Sequence, residues 1–125
     1  MKITSMVYVL ENKKMERFER TIRYINLFTI YKDLLTYTQQ EIVGDYFLAD
    51  LSISEIAEER QISRSAVEDA LSKACKKMDD FEDKLHLLEK KENISKITAQ
   101  LKEKALNNTE IEELEQIEKE LDYGI

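Results

Sequence analysis

The stretch that decides the fold is LSISEIAEERQISRSAVEDALSKACKKM, residues 51–78. Ser52 and Glu55 have the spacing of a capping box, in which each side chain accepts a hydrogen bond from the other residue's backbone N–H at the start of a helix. Ser63 is placed to cap a second helix. The stretch therefore predicts two helices that meet at a tight turn, a helix-turn-helix.

Apolar residues of both predicted helices return to one core. Ile56 points into that core, and Ala57 is small where the second helix must cross closely. Val67 and Leu71 come back to the same core from the second helix, and this agreement favours the motif far more than one capping box does. The turn residue is Gln61, where the backbone commonly needs a positive φ and Gly is usual, so we expect a steric cost of about 1 kcal/mol.

The first turns of the second helix are the surface expected to meet a ligand. In a helix-turn-helix that enters a major groove, these turns reach base edges and nearby lysines reach phosphates. The candidate nucleic-acid-binding residues are Ser63, Arg64, Ser65, Glu68, Ser72, Lys73 and Lys76. Arg64 can fork onto guanine, whereas the carboxylates of Glu68 and Asp69 repel phosphates. A solvated acidic face on a packed helix is therefore the alternative.

A heptad stripe continues along the same helix and predicts that the helix runs to about Lys91. Its apolar residues alternate spacings of four and three: Val67, Leu71, Ala74, Met78, Phe81, Leu85 and Leu88. Such an apolar stripe usually packs against another helix, and the sequence leaves three possible partners: the first helix, the C-terminal helices, or a second copy of the chain.

Composition favours an all-α chain. Its 125 residues contain no Pro and two Gly, which leaves little material for strand turns or phosphate-binding loops. Acidic residues outnumber basic ones 26 to 19, giving a formal charge of -7, and the segment 93–125 is strongly acidic. We expect an N-terminal extension at 1–14, a helix-turn-helix domain at 15–92 and acidic C-terminal helices at 93–125.

Capping signals predict the remaining helix starts. Asn12 is the predicted cap of the first helix, and Thr38 and Glu41 form a T-x-x-E box. The start of the last helix is marked by Asn107, Asn108 and a box of Thr109 and Glu112. Two apolar faces follow in the tail, and both need a surface to lie on. They consist of Ile94, Ile97, Leu101 and Ala105, and of Ile111, Leu114, Ile117 and Leu121.

Residues 16–92 resemble the YlxM family of small bacterial proteins and, more distantly, the DNA-binding region 4 of sigma factors. The strings LSISEIAEE, ISRSAV and DKLHL carry the resemblance. It implies an all-helical, sigma-region-4-like helix-turn-helix, unrelated to the winged helix, with a long recognition helix and appended C-terminal helices. The family usually has Gly at the position of Gln61 and an aromatic residue at that of Glu68, so this chain departs where base reading is decided.

The resemblance also implies a function, because the family's genes characteristically lie beside those of the signal recognition particle GTPase and its receptor. A nucleic-acid-binding regulatory or accessory protein of that pathway is the first hypothesis, with DNA or the particle's RNA and GTPases as partners. A dimeric transcriptional regulator that reads DNA is the second hypothesis. The third is a protein-interaction module that uses the heptad helix.

Enzymatic function has little support in the sequence. The single histidine, His86, has no nucleophile paired with it, and the single cysteine, Cys75, is not part of a metal-ligand spacing. The sequence also contains no Gly-rich phosphate-binding loop. We expect no catalytic or metal-binding residue, no cofactor and no small-molecule substrate. The chain has no apolar run near 20 residues and no disulfide pair, so we expect no membrane insertion and a cytoplasmic location.

Overall fold

The computed structural model describes residues 2–105 and 107–124, with side chains from residue 16 to residue 122 except 106. The described residues form an all-α fold, as predicted. Its helices are α1 (Lys2–Tyr31), α2 (Tyr37–Val43), α3 (Ile53–Arg60), α4 (Arg64–Leu85), α5 (Leu87–Lys104) and α6 (Asn108–Gly124). A 3-10 turn (Lys32–Leu34) precedes α2 and a π-helical turn (Gly44–Leu48) follows it. Over this part of the chain, none of these helices combines the length and the apolar character that crossing a membrane requires.

Two compact units divide the chain within α4. The first spans Met1–Asp80 and the second spans Phe81–Ile125. This division lies upstream of the predicted boundary between residues 92 and 93, and α1 passes without a break through the predicted boundary after residue 14.

Helix α1 begins earlier than the sequence suggested. It is helical from Lys2, so Asn12 lies inside it and the predicted cap at Asn12 is wrong. Its C-terminal half enters the core of the first unit, where Leu27 and Tyr31 are almost completely buried. Tyr24, Phe28 and Tyr31 belong to the packing face of α1, whereas Phe18 and Ile22 remain exposed.

Helix α2 is capped by a different pair from the predicted one. Thr36 Oγ1 accepts the N–H of Gln39 at 3.2 Å, and Gln39 Oε1 accepts the N–H of Thr36 at 3.0 Å. The predicted box of Thr38 and Glu41 is wrong, because Thr38 already lies in the helix. The 3-10 turn ends at Leu34, and α2 begins at Tyr37, directly after the capping residue Thr36.

Glu41 instead binds α3 to α2 through Arg60. Arg60 Nη1 donates to Glu41 Oε2 at 2.7 Å, and Nη2 donates to Asp45 Oδ2 at 2.8 Å. The hydrogen bond from Arg60, with a smaller contribution from Tyr37, holds the pKa of Glu41 below its usual value. One guanidinium therefore bridges three consecutive segments of the first unit.

The helix-turn-helix is present as predicted. Ser52 and Glu55 form the expected capping box of α3. Gln61 ends α3 in the left-handed region, with φ 55° and ψ 44°. Its N–H donates to Glu58 at 3.3 Å, while the N–H of Ile62 donates to Ala57 at 3.1 Å, which is the Schellman pattern. The turn thus has the left-handed geometry that Gly usually supplies.

The core of the first unit contains the apolar residues that the motif predicted. Ile56 and Val67 are completely buried, and Ala57 and Leu71 are nearly so. They pack in the same unit as the buried part of α1. The caps and the core together fix how α3 and α4 lie against each other.

Helix α4 ends at Leu85, so the predicted continuous helix to Lys91 is wrong. His86 takes a left-handed conformation with φ 54°, and α5 begins at Leu87. The cause is the buried carboxylate of Glu82, which accepts the N–H of Leu88 at 3.0 Å and the N–H of Glu89 at 3.1 Å. These are free backbone donors at the start of α5, and satisfying them stabilises a new helix start.

In the second unit, α5 and α6 form an antiparallel hairpin. Asn107 Oδ1 accepts the N–H of Glu110 at 2.9 Å at the start of α6, which confirms Asn107 as a marker of this helix start. The predicted capping box of Thr109 and Glu112 is wrong, because Thr109 already lies in the helix. Lys102 Nζ lies 3.4 Å from Glu118 Oε1 on the facing helix. Thr98 and Leu121 are buried in this unit.

Candidate nucleic-acid interface

The first turn of α4 presents an exposed polar surface. Ser63 Oγ accepts the N–H of Ala66 at 3.0 Å, so this hydroxyl caps the helix as predicted. Arg64 and Ser65 follow it and are exposed. Their position at the start of the second helix is the one from which a helix-turn-helix reaches base edges.

Lys73 is already paired on the same helix. Its Nζ lies 2.9 Å from Asp69 Oδ2, and both side chains are more than 60 % exposed. Water screens such a pair, so it contributes little to stability. The pair still places a carboxylate beside this cation on the face predicted to bind phosphates.

A groove of about 530 Å³ lies between α4 and the part of α1 from Arg17 to Tyr24. Three of the predicted ligand-binding residues, Glu68, Ser72 and Lys76, line its α4 side. Arg17 and Arg20 line its α1 side. The structure therefore brings three of the seven predicted residues together with two cations of another helix.

A small network fixes the position of one of these cations. The guanidinium carbon of Arg20 lies 5.7 Å from the centre of the Tyr24 ring, within the range of a cation–π contact. The hydroxyl of Tyr24 donates to Asp79 Oδ2 at 2.8 Å, and Arg23 Nη2 donates to Asp79 Oδ1 at 3.3 Å. Burial, and then the hydrogen bond to Asp79, raises the pKa of Tyr24. Tyr24 thus remains a neutral donor at neutral pH.

Aromatic rings and a thiol complete the groove lining. Tyr46 and Phe47 stack edge to face, with ring centres 4.9 Å apart. Cys75 also lines the groove, and burial raises the pKa of its thiol to about 11. The thiolate is the reactive form of cysteine, so this residue is unreactive at neutral pH.

Comparison with known proteins identifies the family. The family model UPF0122, described as "Putative helix-turn-helix protein, YlxM / p13 like", matches residues 18–118. The chain belongs to the UPF0122 family.

Individual UPF0122 proteins match over most of the chain. UPF0122 protein BH2485 of Halalkalibacterium halodurans is 39% identical over 104 residues, which cover 83% of this chain and 95% of the relative. A UPF0122 protein of Bacillus thuringiensis is 41% identical over 85 residues, covering 68% and 77%. One from Mycoplasma capricolum is 47% identical over 74 residues, covering 59% and 66%.

Sequence reasoning on this UPF0122 chain missed Arg17 and Arg20. Both lie on α1, a helix to which the sequence analysis assigned no ligand-binding residue. A signal was available, since Arg17, Arg20 and Arg23 recur every third residue and so lie close together on one helix face. The spacing of the arginines does not reveal that α4 lies opposite this face of α1.

The predicted interaction stripe is divided between two environments. Val67, Leu71, Ala74 and Met78 are buried in the first unit, so this half packs within the chain. Beyond it, Phe81 is half-buried, Leu85 is exposed and Leu88 is buried after the break at His86. The role of these residues in binding a partner stays a prediction.

Proposed function

We propose that this UPF0122 protein binds nucleic acid through the first turns of α4 and the cationic wall of the adjoining groove. One observation carries the proposal: an intact helix-turn-helix whose second helix starts with exposed Arg64 and Ser65 beside a groove that Arg17 and Arg20 line. Phosphate contacts supply most of the affinity of such proteins, and base contacts supply the specificity. The two helices divide these tasks between them.

The carboxylates on α4 favour recognition of shape over recognition of many bases. Glu68 lines the groove, and Asp69 is paired with Lys73. Against a duplex, both carboxylates weaken binding unless they accept from base amino groups. RNA contacts depend more on phosphates and on the shallow groove, because a helix cannot enter the narrow major groove of A-form RNA.

We therefore propose a structured RNA as the preferred ligand, and the RNA of the signal recognition particle as the first one to test. The support for this setting is the resemblance to the YlxM family. In the same proposal the protein acts in the cytoplasm as an accessory factor without catalytic activity. Regulation of transcription by a dimer that binds a two-fold DNA site is the competing proposal.

The experiment measures binding of the full-length protein to two fluorescent probes by anisotropy between 50 and 300 mM salt. The probes are signal recognition particle RNA and a DNA duplex of equal length and random sequence. We expect the affinity for RNA to be higher, and both affinities to fall steeply with salt. The double substitution Arg17→Ala and Arg20→Ala should reduce the salt slope by roughly 1 to 2, because each phosphate that the protein neutralises adds about 0.9 to a duplex slope and about 0.7 to a single-strand slope.

The matched control is Lys96→Ala with Lys119→Ala, which removes the same charge from exposed positions of α5 and α6. The control should bind as the wild type does. Equal losses in both double variants would mean that net charge, not the groove, determines binding. Absence of binding to either probe would refute the proposal.

Protein partners are tested separately by capture from bacterial lysate with and without nuclease. A GTPase of the signal recognition particle that is captured only without nuclease indicates an RNA bridge. Capture that survives nuclease, combined with no binding in the anisotropy assay, would favour a protein-interaction module instead.

A further inference from the structure

The hairpin of α5 and α6 has one ionic side and one apolar side. On the ionic side, Lys91 Nζ lies 3.8 Å from Asp122 Oδ1 and Lys102 Nζ lies 3.4 Å from Glu118 Oε1. The apolar side carries four large side chains that remain well exposed: Ile94 at 38%, Ile97 at 56%, Leu101 at 48% and Ile117 at 45%. We call these four residues the hairpin patch.

Helix periodicity explains why the four residues share one side. Ile94, Ile97 and Leu101 recur at spacings of three and four, so they form one line along α5. On α5 this line lies on average about 100° around the helix axis from Lys91 and Lys102, and on α6 Ile117 lies about 100° from Glu118. Because α5 and α6 are antiparallel and joined by those ion pairs, the α5 line and Ile117 fall on the side of the hairpin opposite to the pairs.

Charged residues extend the patch, with opposite signs on the two helices. On α5, Lys90 and Lys104 stand four residues before Ile94 and three residues after Leu101. On α6, Glu113 and Glu120 stand four residues before and three residues after Ile117. All four charged residues are exposed.

We propose that the hairpin patch binds the hairpin patch of a second copy of this chain. A two-fold axis parallel to the helices places α5 of one copy beside α6 of the other, running antiparallel to it. The basic edge of each copy then meets the acidic edge of its partner, with Lys104 near the partner's Glu113. This surface complements itself, as a two-fold interface requires.

The charges beside the hairpin patch favour a second copy of this chain over other binding partners. A patch with one sign of charge would repel its own copy and favour a partner of opposite sign. The charged residues beside the hairpin patch instead include both signs, with the lysines on the α5 edge and the glutamates on the α6 edge. The arrangement resembles four-helix bundles, in which two hairpins bury a shared apolar seam.

The size of the patch sets the strength of the interaction. Four partly exposed aliphatic side chains per copy bury less apolar surface than a permanent dimer does, and association itself is costly. We therefore expect an equilibrium between monomer and dimer that depends on protein concentration. This inference does not depend on nucleic-acid binding.

The first experiment is sedimentation equilibrium of the full-length protein over a wide concentration range. We expect the mean mass to rise toward that of a dimer in the wild type and in the control Lys96→Glu, whose exposed lysine lies on another face of α5. Ile97→Glu should weaken dimerisation at least tenfold, while circular dichroism shows unchanged helicity. A monomer at every concentration, or a dimer unaffected by Ile97→Glu, would overturn the proposal.

The second experiment exchanges the charges and does not depend on burying a new charge. Lys104→Glu and Glu113→Lys should each dimerise more weakly than the wild type, because each creates two like-charged pairs. Mixing the two variants should restore dimerisation, because both pairs in the mixed dimer again have opposite charges. A mixture that associates no better than the separate variants would contradict the proposed pairing.

Discussion

At the scale of single residues, the turn of the helix-turn-helix is held in an unfavourable conformation. Gln61 has a positive φ, which costs a residue with a Cβ atom about 1 kcal/mol relative to Gly. The chain tolerates this cost because the Schellman hydrogen bonds and the buried side chains on both sides determine the turn. The sequence correctly predicted that a residue with a Cβ atom occupies a position that needs a positive φ. The structure shows that Gln61 adopts this left-handed conformation although Gly is the residue usually preferred there.

Gln61→Gly should therefore stabilise the protein. We expect the free energy of unfolding to rise by up to about 0.5 kcal/mol, since the relief of about 1 kcal/mol of strain exceeds the extra entropy, about 0.5–1 kcal/mol, that Gly has in the unfolded chain. Urea denaturation followed by circular dichroism measures the change. Gln61→Ala is the control, because it keeps the Cβ atom and should give no such gain. Equal stabilisation by both substitutions would show that the turn is unstrained.

At the scale of the elements, Arg60 connects α3 to α2 through Glu41 and Asp45. The lowered pKa of Glu41 means that its carboxylate stabilises the fold above the usual carboxyl pKa of 4.5. That stabilisation is lost as the pH falls through the lowered pKa of the folded state. Below this pH the bridge to Glu41 no longer contributes.

Arg60→Gln should accordingly destabilise the protein most near neutral pH. We expect the difference in free energy of unfolding between wild type and variant to shrink as the pH falls from 7 to below 4. Urea denaturation at pH 7, 4.5 and 3.5 measures it. Arg64→Gln, which removes an exposed arginine without an ion pair in the described structure, serves as the control. A difference that is constant with pH would contradict the role of Glu41.

The sequence predicted some elements well and others poorly, for identifiable reasons. Ser52, Glu55 and Ser63 were predicted correctly because a cap depends on residues only three positions apart. The end of α4 was missed because the side chain of Glu82 reaches the backbone of Leu88, a contact that no periodicity encodes. The apolar stripe continued through His86, so its pattern favoured an unbroken helix.

The candidate interface shows the same limit. The α4 residues of the interface follow from the motif, because a helix-turn-helix fixes which turn is exposed. The α1 residues do not, because Arg17 and Arg20 join the surface only through packing that brings distant parts of the chain together. Capping and spacing signals therefore predicted the residues of α4, whereas the surface shared by α1 and α4 could be recognised only in the folded structure.

For the whole molecule, acidity opposes the nucleic-acid binding that we propose. The formal charge is -7, and two carboxylates lie on the face of α4 that we propose for binding. Glu68 lines the groove, while Asp69 neutralises Lys73. Removing both negative charges should also free Lys73 from its ion pair with Asp69.

The double substitution Glu68→Gln and Asp69→Asn should therefore strengthen binding. We expect an affinity gain of roughly 3- to 10-fold at 100 mM salt, decreasing as salt screens the charges. Anisotropy with the RNA and DNA probes measures it. Glu92→Gln with Glu103→Gln, which removes two exposed charges from α5, is the control and should change little. A loss of RNA affinity would mean that the carboxylates contact the ligand directly.

The long helix α1 has a consequence for how binding can change over generations. Its buried end, with Leu27 and Tyr31, is fixed in the core, while Arg17 and Arg20 lie further along the same rod, outside the helix-turn-helix. In the proposed interface, substitutions there adjust how tightly a ligand is held without altering the turn of α4 that is proposed to contact it. Affinity and recognition are then encoded on separate helices, and selection can change one without changing the other.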